Sequence, residues 1–210
     1  MIIASGEKSS AIVVCGWAQA FFQRHIPAID ASILDVGCGQ GEFLQQLKSA
    51  GYTHLSGIEA NTYPGIKNFT VTYKDISYEK LEWVGGVFDA ISAWEVFEHL
   101  ENPRFALGEL HRILKPDGLL FMSVPNVFSI EERLHFLRTG NFWRWGRKSD
   151  HYNIFTHNVF KKVFLKDFLL VEKRYPLPKF GKHGKLAKIP FRAPENELFG
   201  TFAVYVLKKK

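Results

Sequence analysis

The sequence is poor in sulfur and in long apolar runs. Cys15 and Cys38 are its two cysteines, too few for a disulfide framework or a cysteine-based zinc pattern, and they fit a reducing compartment. No apolar stretch approaches the ~20 residues of a membrane-spanning helix. The opening MIIASGEKSS has no basic segment leading into an apolar core, so no signal peptide is expected and the chain reads as cytoplasmic. Histidines and acids show no metal-ligand spacing, so no metal is expected. No internal repeat or low-complexity tract is present.

Negative charge is scarce in one part of the chain. Residues 1–132 hold 9 Lys/Arg against 16 Asp/Glu, whereas residues 133–210 hold 18 against 5. A split of this size indicates that the two parts face different partners. With 210 residues and 46% hydrophobic content, the chain can bury one sizeable core.

Strand and helix signals alternate along the first part. Ser9 or Ser10 suits the cap of a helix running to about Arg24. SILDVG reads as a first strand, and EFLQQLKSA as a helix closed by Gly51. HLSGIEA, FTVTYKDI and FDAISAWEV are the next three strands, the last an apolar run suited to burial on both faces. Asn102-Pro103 opens the helix PRFALGELHRIL, KPDG ends it, and LLFMSVP is a fifth strand. This alternation predicts a parallel sheet with right-handed crossovers. Beyond Asn126 come a helix in VFSIEERLHFLRTG, an aromatic basic loop in NFWRWGRKSDHYN, and a helix in THNVFKKVFLKD capped by Thr156. FLLVEKRYPL and TFAVYVLKK are final strands, separated by a Gly-, Pro- and Lys-rich stretch.

The most informative stretch is ILDVGCGQGEF, residues 33–43. A strand, a glycine turn and a helix form the nucleotide-binding corner of a doubly wound sheet. The dinucleotide fingerprint G-x-G-x-x-G is broken here, because Glu42 stands where its third glycine belongs. Asp35, just before the turn, would repel a pyrophosphate and attract a cation. S-adenosylmethionine carries a sulfonium, an ammonium and a carboxylate but no phosphate. Glu59 lies 22 residues beyond Gly37, close to the offset at which an acid meets ribose hydroxyls. Asp75, ending the third strand, is placed to accept from an adenine amino group. It also suits the cap of a following turn.

In order and spacing, ILDVGCGQGEF, GIEA, YKDI, FDAISAWEVFEHL and ELHRILKPDGLLFMSVPN resemble the class I S-adenosylmethionine-dependent methyltransferases. The nearest likeness is to the branch acting on quinones, glycans and metabolites. The resemblance spans about residues 30–126. It implies a doubly wound, Rossmann-like α/β fold with a seven-stranded, mostly parallel sheet whose last strand is antiparallel, and a lid-like insertion after strand five. It implies cofactor contacts from Asp35, Gly37, Cys38, Gly39 and Gly41, from Glu59 and Ala60 at the ribose, and from Asp75 and Ile76 at the adenine. Trp94 and Glu95 would flank the methionine part, although Trp94 equally suits core packing. The chain then forms one methyltransferase domain: a helical segment over 1–30, the cofactor-binding core over 31–126, a substrate-side insertion over 127–165, and the final strands with a basic loop over 166–210.

The methyl acceptor is less sharply marked. AWEVFEHL stands where enzymes of exocyclic base nitrogens carry Asn or Asp, two prolines and an aromatic. In the insertion, Trp143, Arg144, Arg147 and Tyr152 could bind a small or glycan-, lipid- or phosphate-linked anionic acceptor by bidentate pairing and stacking. The basic part also suits nucleic acid, an anionic membrane surface, or a solvated face with no partner. A non-catalytic, cofactor-binding regulator is a further reading. If the acceptor atom is a hydroxyl oxygen, a histidine base is expected, with His151, His99 and His157 as candidates. Among these His151 is preferred, since Asp150 and Tyr152 adjoin it and His157 suits a helix cap.

Overall fold

The computed structural model describes residues 16–62, 69–177 and 194–210. Seven strands form one sheet in the order β3-β2-β1-β4-β5-β7-β6. They are β1 (Ser32–Val36), β2 (His54–Glu59), β3 (Thr70–Tyr73), β4 (Phe88–Trp94), β5 (Leu114–Pro125), β6 (Phe168–Arg174) and β7 (Phe202–Lys209). Neighbouring strands from β3 to β5 pair in parallel, and β7 runs antiparallel to both β5 and β6. This is the expected seven-stranded sheet with an antiparallel last strand. Strand order reverses between β1 and β4, which opens a crevice at their C-terminal ends.

Helices cover both faces, and period-two alternation in the strands decides which residue meets which layer. Ile91, Ala93, Leu120 and Met122 pack with Leu107, Leu110 and Phe160, from α3 (Pro103–Ile113) and α5 (His157–Val163). Ala90, Trp94 and Phe121 face the other way, against Phe22 of α1 (Trp17–His25) and Phe43 of α2 (Glu42–Ser49). A wholly buried ring such as Phe22 contributes about 3–5 kcal/mol by the cost of truncating it.

Two helices start at the side chains read as caps, and a third starts at Ser129. Asn102 Oδ1 accepts from Phe105 N at 3.2 Å, and Thr156 Oγ1 accepts from Val159 N at 3.4 Å. Ser129 Oγ accepts from Glu132 N at 3.3 Å and starts α4 (Ile130–Thr139), which Gly140 closes at φ 72°. Gly51, at φ 99°, follows α2 as its C-terminal signal requires.

One local reading changes, and others fall outside the described residues. The proposed caps Ser9 and Ser10 lie outside the described residues, as do Cys15 and residues 178–193 of the basic stretch. KPDG does not separate helix from strand. Leu114 already pairs with Phe88, and pairing resumes at Leu119 with Ala90, so residues 115–118 bulge from within β5. Asp117 makes the bend with φ 63°, a conformation Asp tolerates better than most residues.

Candidate active site

The glycine corner is built from the ends of β1 and β2. Gly37 N and Cys38 N both donate to Ile58 O, at 2.8 and 3.1 Å, and Gly41 N donates to Cys38 O at 2.8 Å. Gly37, Gly39 and Gly41 all have left-handed φ values, of 66°, 53° and 84°. Their reasons for lacking a side chain differ. A Cβ on Gly37 would stand 2.6 Å from Val96 Cγ2, whereas one on Gly39 would meet nothing within 4 Å. Gly37 is therefore required by packing, and Gly39 borders open space. Cys38 is buried and fills the gap above Gly57, whose own Cβ would lie 2.7 Å from the Cys38 sulfur. Burial and the neighbouring acids raise its thiol pKa, so no reactive thiolate forms there.

Three acids stand at the strand ends in different states. Asp35 is buried, and Ser92 Oγ donates to it at 2.6 Å. Burial raises its pKa to about 7, against the opposing hydrogen bond from Ser92 and with help from Glu59 and Glu42. A buried carboxyl kept half-neutral in this way suits a site completed by a cation. Glu59 accepts from Gly39 N at 2.8 Å, Ala60 N at 2.9 Å and Asn61 N at 3.2 Å. It thus ties the end of β2 to the glycine turn. Asp75 is exposed and accepts from Ser77 N at 2.9 Å, while its own N–H donates to Glu79 Oε1 at 2.8 Å. It caps the turn it begins, and Ile76 beside it is buried in the core.

Trp94 and Glu95 leave β4 at the point where strand order reverses. Trp94 is buried edge-on to Phe43 at 5.5 Å, and its Nε1 has no hydrogen-bond partner among the described residues. A buried unpaired N–H costs about 1–3 kcal/mol. Such an orphan donor at the strand end where the order reverses fits a polar ligand. Glu95 takes a left-handed φ of 56° and shares two hydrogen bonds with Ser123. Burial raises its pKa to about 7, opposed by Arg144, Ser123 and the neighbouring Glu98.

The loop after β4 meets the insertion in a polar cluster. Tyr152 N and Asn153 N both donate to Glu98 O, at 2.7 and 3.0 Å, and Asn153 Nδ2 donates to Phe97 O at 3.2 Å. These bonds bring His99 Nδ1 to 3.1 Å from Asp150 Oδ1 and set the His99 and His151 rings edge to face at 4.6 Å. Asp150 therefore orients His99 rather than its sequence neighbour His151. His151 is half-buried, and its pKa falls to about 4 through burial and the nearby His99 charge. His157 lies elsewhere, paired with Glu197 at 2.9 Å and stacked on Phe128 at 4.4 Å. Its expected capping role belongs to Thr156.

Glu98 is the residue that sequence reasoning passed over. It is wholly buried with its carboxyl against that of Glu95, and burial and the Glu95 charge raise its pKa well above the usual carboxylate range. Within the apolar run AWEVFEHL it read as part of a strand exit.

The substrate-side candidates divide in two. Arg144 is engaged, 3.6 Å from Glu132 and 5.0 Å above the Phe202 ring. Trp143 and Tyr152 are 63% and 52% exposed, and Arg147 is exposed as well. Among the described residues no helix is long and apolar enough to cross a membrane.

A family model described as a methyltransferase domain matches residues 14–167. The chain belongs to that methyltransferase family. Its sheet order and glycine corner are those of the class I S-adenosylmethionine-dependent enzymes. Similar solved structures include an S-adenosylmethionine-dependent methyltransferase from Archaeoglobus fulgidus, at 21% identity and a TM-score of 0.64 over 96% of this chain and 95% of that one. A second is a Burkholderia thailandensis 1,6-didemethyltoxoflavin-N1-methyltransferase with S-adenosylhomocysteine bound, at 16% identity and a TM-score of 0.64 over 92% and 76%. At these identities the likeness concerns fold. In sequence, the chain is 34% identical over 103 residues to the ubiquinone biosynthesis O-methyltransferase of Dechloromonas aromatica, covering 45% of this chain and 44% of the relative. The Agrobacterium fabrum protein of that name is 27% identical over 137 residues, covering 61% and 54%. The chain thus spans about half the length of these curated relatives.

Proposed function

We propose that this methyltransferase transfers a methyl group from S-adenosylmethionine to a hydroxyl oxygen of a small or lipid- or phosphate-linked anionic acceptor, with residues 1–210 acting as one domain. Asp35, the Gly37–Gly41 turn and Glu59 would hold the cofactor, Asp75 its adenine, and Trp94 and Glu95 its methionine part. When bound, the cofactor supplies a methyl group on a sulfonium. The reaction then gains chiefly from orientation, with no covalent enzyme intermediate.

The observation that carries the choice of oxygen is the His99–Asp150 pair on the loop leaving β4, the strand next to β1. With Nδ1 held by Asp150, His99 Nε2 is left to take the proton of an acceptor hydroxyl. The side chain is 29% exposed, so an acceptor can reach it. The named O-methyltransferase activity of the sequence relatives supports the same reading.

The nature of the acceptor is read from the insertion, taken as the substrate side. Val127, Phe128, Phe136, Leu137, Phe142 and Ile154 line an apolar groove of about 400 Å³, with Arg133 beside them. An apolar slot edged by a cation suits an acceptor with an apolar body and an anionic group. Incubating the chain with labelled S-adenosylmethionine and fractionated extract tests this. Label is expected in a small-molecule or lipid fraction, and label in RNA would overturn it.

A further inference from the structure

We propose that the outer face of α4 is a homodimer interface, on which the same helix of a second copy of this chain packs antiparallel. A surface helix ordinarily buries an apolar stripe and shows solvent a polar one. In α4 the order is inverted. Its buried residue is Glu132, whereas Ile130, Leu134 and Leu137 are 42%, 60% and 81% exposed. Their spacing of i, i+4 and i+7 sets these three on one outward stripe. Aliphatic residues exposed singly are ordinary, but a contiguous apolar stripe marks an interaction site.

The buried acid fixes this orientation. Glu132 accepts from Trp143 N at 2.8 Å and lies 3.6 Å from Arg144 Nε, while its own N–H donates to Ser129 Oγ at 3.3 Å. Turning α4 to hide its leucines would break these contacts, so the stripe can be covered only from outside.

The charges beside the stripe select the occupant. At helical spacing Glu131 and Arg138 share one edge of it, the acid in the first turn and the base in the last. Both are exposed, and neither has an ion-pair partner among the described residues. A twofold axis near Leu134 brings this edge against the same edge of the second copy, running the other way. Glu131 of each copy then faces Arg138 of the other, and the leucine stripes meet between them. On the opposite edge Arg133 Nε donates to Phe128 O at 2.8 Å, which draws that charge back toward its own chain. An anionic bilayer would also take up the leucines, but it would repel Glu131.

A contact led by three aliphatic side chains from each copy falls below the roughly 1,200 Å² total of stable complexes, so micromolar association is expected. Leu137 also lines the apolar groove, and pairing would partly roof it. That consequence rests on the acceptor reading above, whereas the dimer does not.

The test is sedimentation velocity of the full chain from micromolar to millimolar concentration, without cofactor or acceptor. A reversible monomer–dimer equilibrium is expected, and Leu134→Glu should shift it to monomer. Glu131→Arg and Arg138→Glu should each weaken association about tenfold, because like charges then meet at both pairs. Mixing these two variants in equal amounts should restore association, a result that a frayed helix could not give. Circular dichroism checks the fold of each variant, and should Leu134→Glu lose helicity the mixing experiment decides. A monomer at every concentration, a dimer indifferent to these substitutions, or a mixture that fails to re-form the dimer would overturn the interface. A monomer that instead co-sediments with phosphatidylglycerol vesicles would also overturn it and give the stripe to a membrane. Failure of the methyltransferase reading would leave the sedimentation result unchanged.

Discussion

The Asp150 carboxylate lies 3.1 Å from His99 Nδ1, across the join between the β4 loop and the insertion. This pairing reassigns the orienting acid from His151 to His99. His99→Gln should lower the turnover number by about 10²-fold or more, the scale of lost general-base catalysis, with cofactor affinity retained. His157→Gln, removing the partner of Glu197, should leave turnover within a few-fold of wild type. Steady-state kinetics of the two variants check this, and equal losses would remove the distinction.

Asp35 predicts a pH dependence. Its folded pKa is raised to about 7, and a cationic ligand favours the ionised form. Affinity for S-adenosylmethionine should therefore fall by up to about tenfold per pH unit below 7 and level off above it. Binding should release a proton in the lower range. The sign for stability is the reverse of the usual carboxylate. The raised pKa means the folded chain holds the proton more tightly than the unfolded one, so stability falls as pH rises from about 4 to about 7. Asp35→Asn should flatten both profiles. Calorimetry and denaturant titration over that range measure them.

The glycine turn offers a contrast within three residues. Gly37→Ala drives a Cβ to 2.6 Å from Val96 and forces φ 66° on a non-glycine residue. It should destabilise the fold by several kcal/mol. Gly39→Val carries the left-handed strain but no clash for its Cβ, costing about 1–2 kcal/mol of stability while blocking the cofactor. Thermal melts paired with binding isotherms separate the two. A Gly39→Val protein with native affinity would remove the turn from the site.

Glu59→Gln should weaken S-adenosylmethionine by about 1.5–3 kcal/mol through loss of a charged hydrogen-bond acceptor. Glu59→Ala should cost more, because it also releases the Gly39 amide. Equal affinities across wild type and both variants would contradict a ribose contact.

Arg144 and Arg147 differ in what they touch. Arg147→Glu, at an exposed position, should raise the acceptor KM in a salt-sensitive way and leave the melting temperature unchanged. Arg144→Glu places a second acid against buried Glu132 and removes the contact over Phe202, so it should lower stability as well. A normal KM in Arg147→Glu would favour a solvated face.

How much was legible follows from how local each signal is. The glycine corner, the Asn102 and Thr156 caps and the apolar runs of β4 and β5 are written in consecutive residues. So are the strand-end positions of Asp35 and Glu59. The His99–Asp150 pair is not, because it depends on Tyr152 and Asn153 bonding back to Glu98 O. Burial of Glu98 is likewise tertiary, since in sequence it stands only as one acid in an apolar run. KPDG reads as a stop, yet Leu114 and Leu119 find β4 on either side of it.

The most direct test of methyl transfer to oxygen is to isolate the labelled product formed from ¹³C-methyl S-adenosylmethionine and cell extract, then read the methyl carbon by NMR. A methyl ether or ester resonance on a small or lipid-linked anionic molecule is the predicted result, lost in His99→Gln and Asp35→Asn. A methyl carbon on nitrogen, label confined to RNA, or cofactor binding without any labelled product would contradict the account.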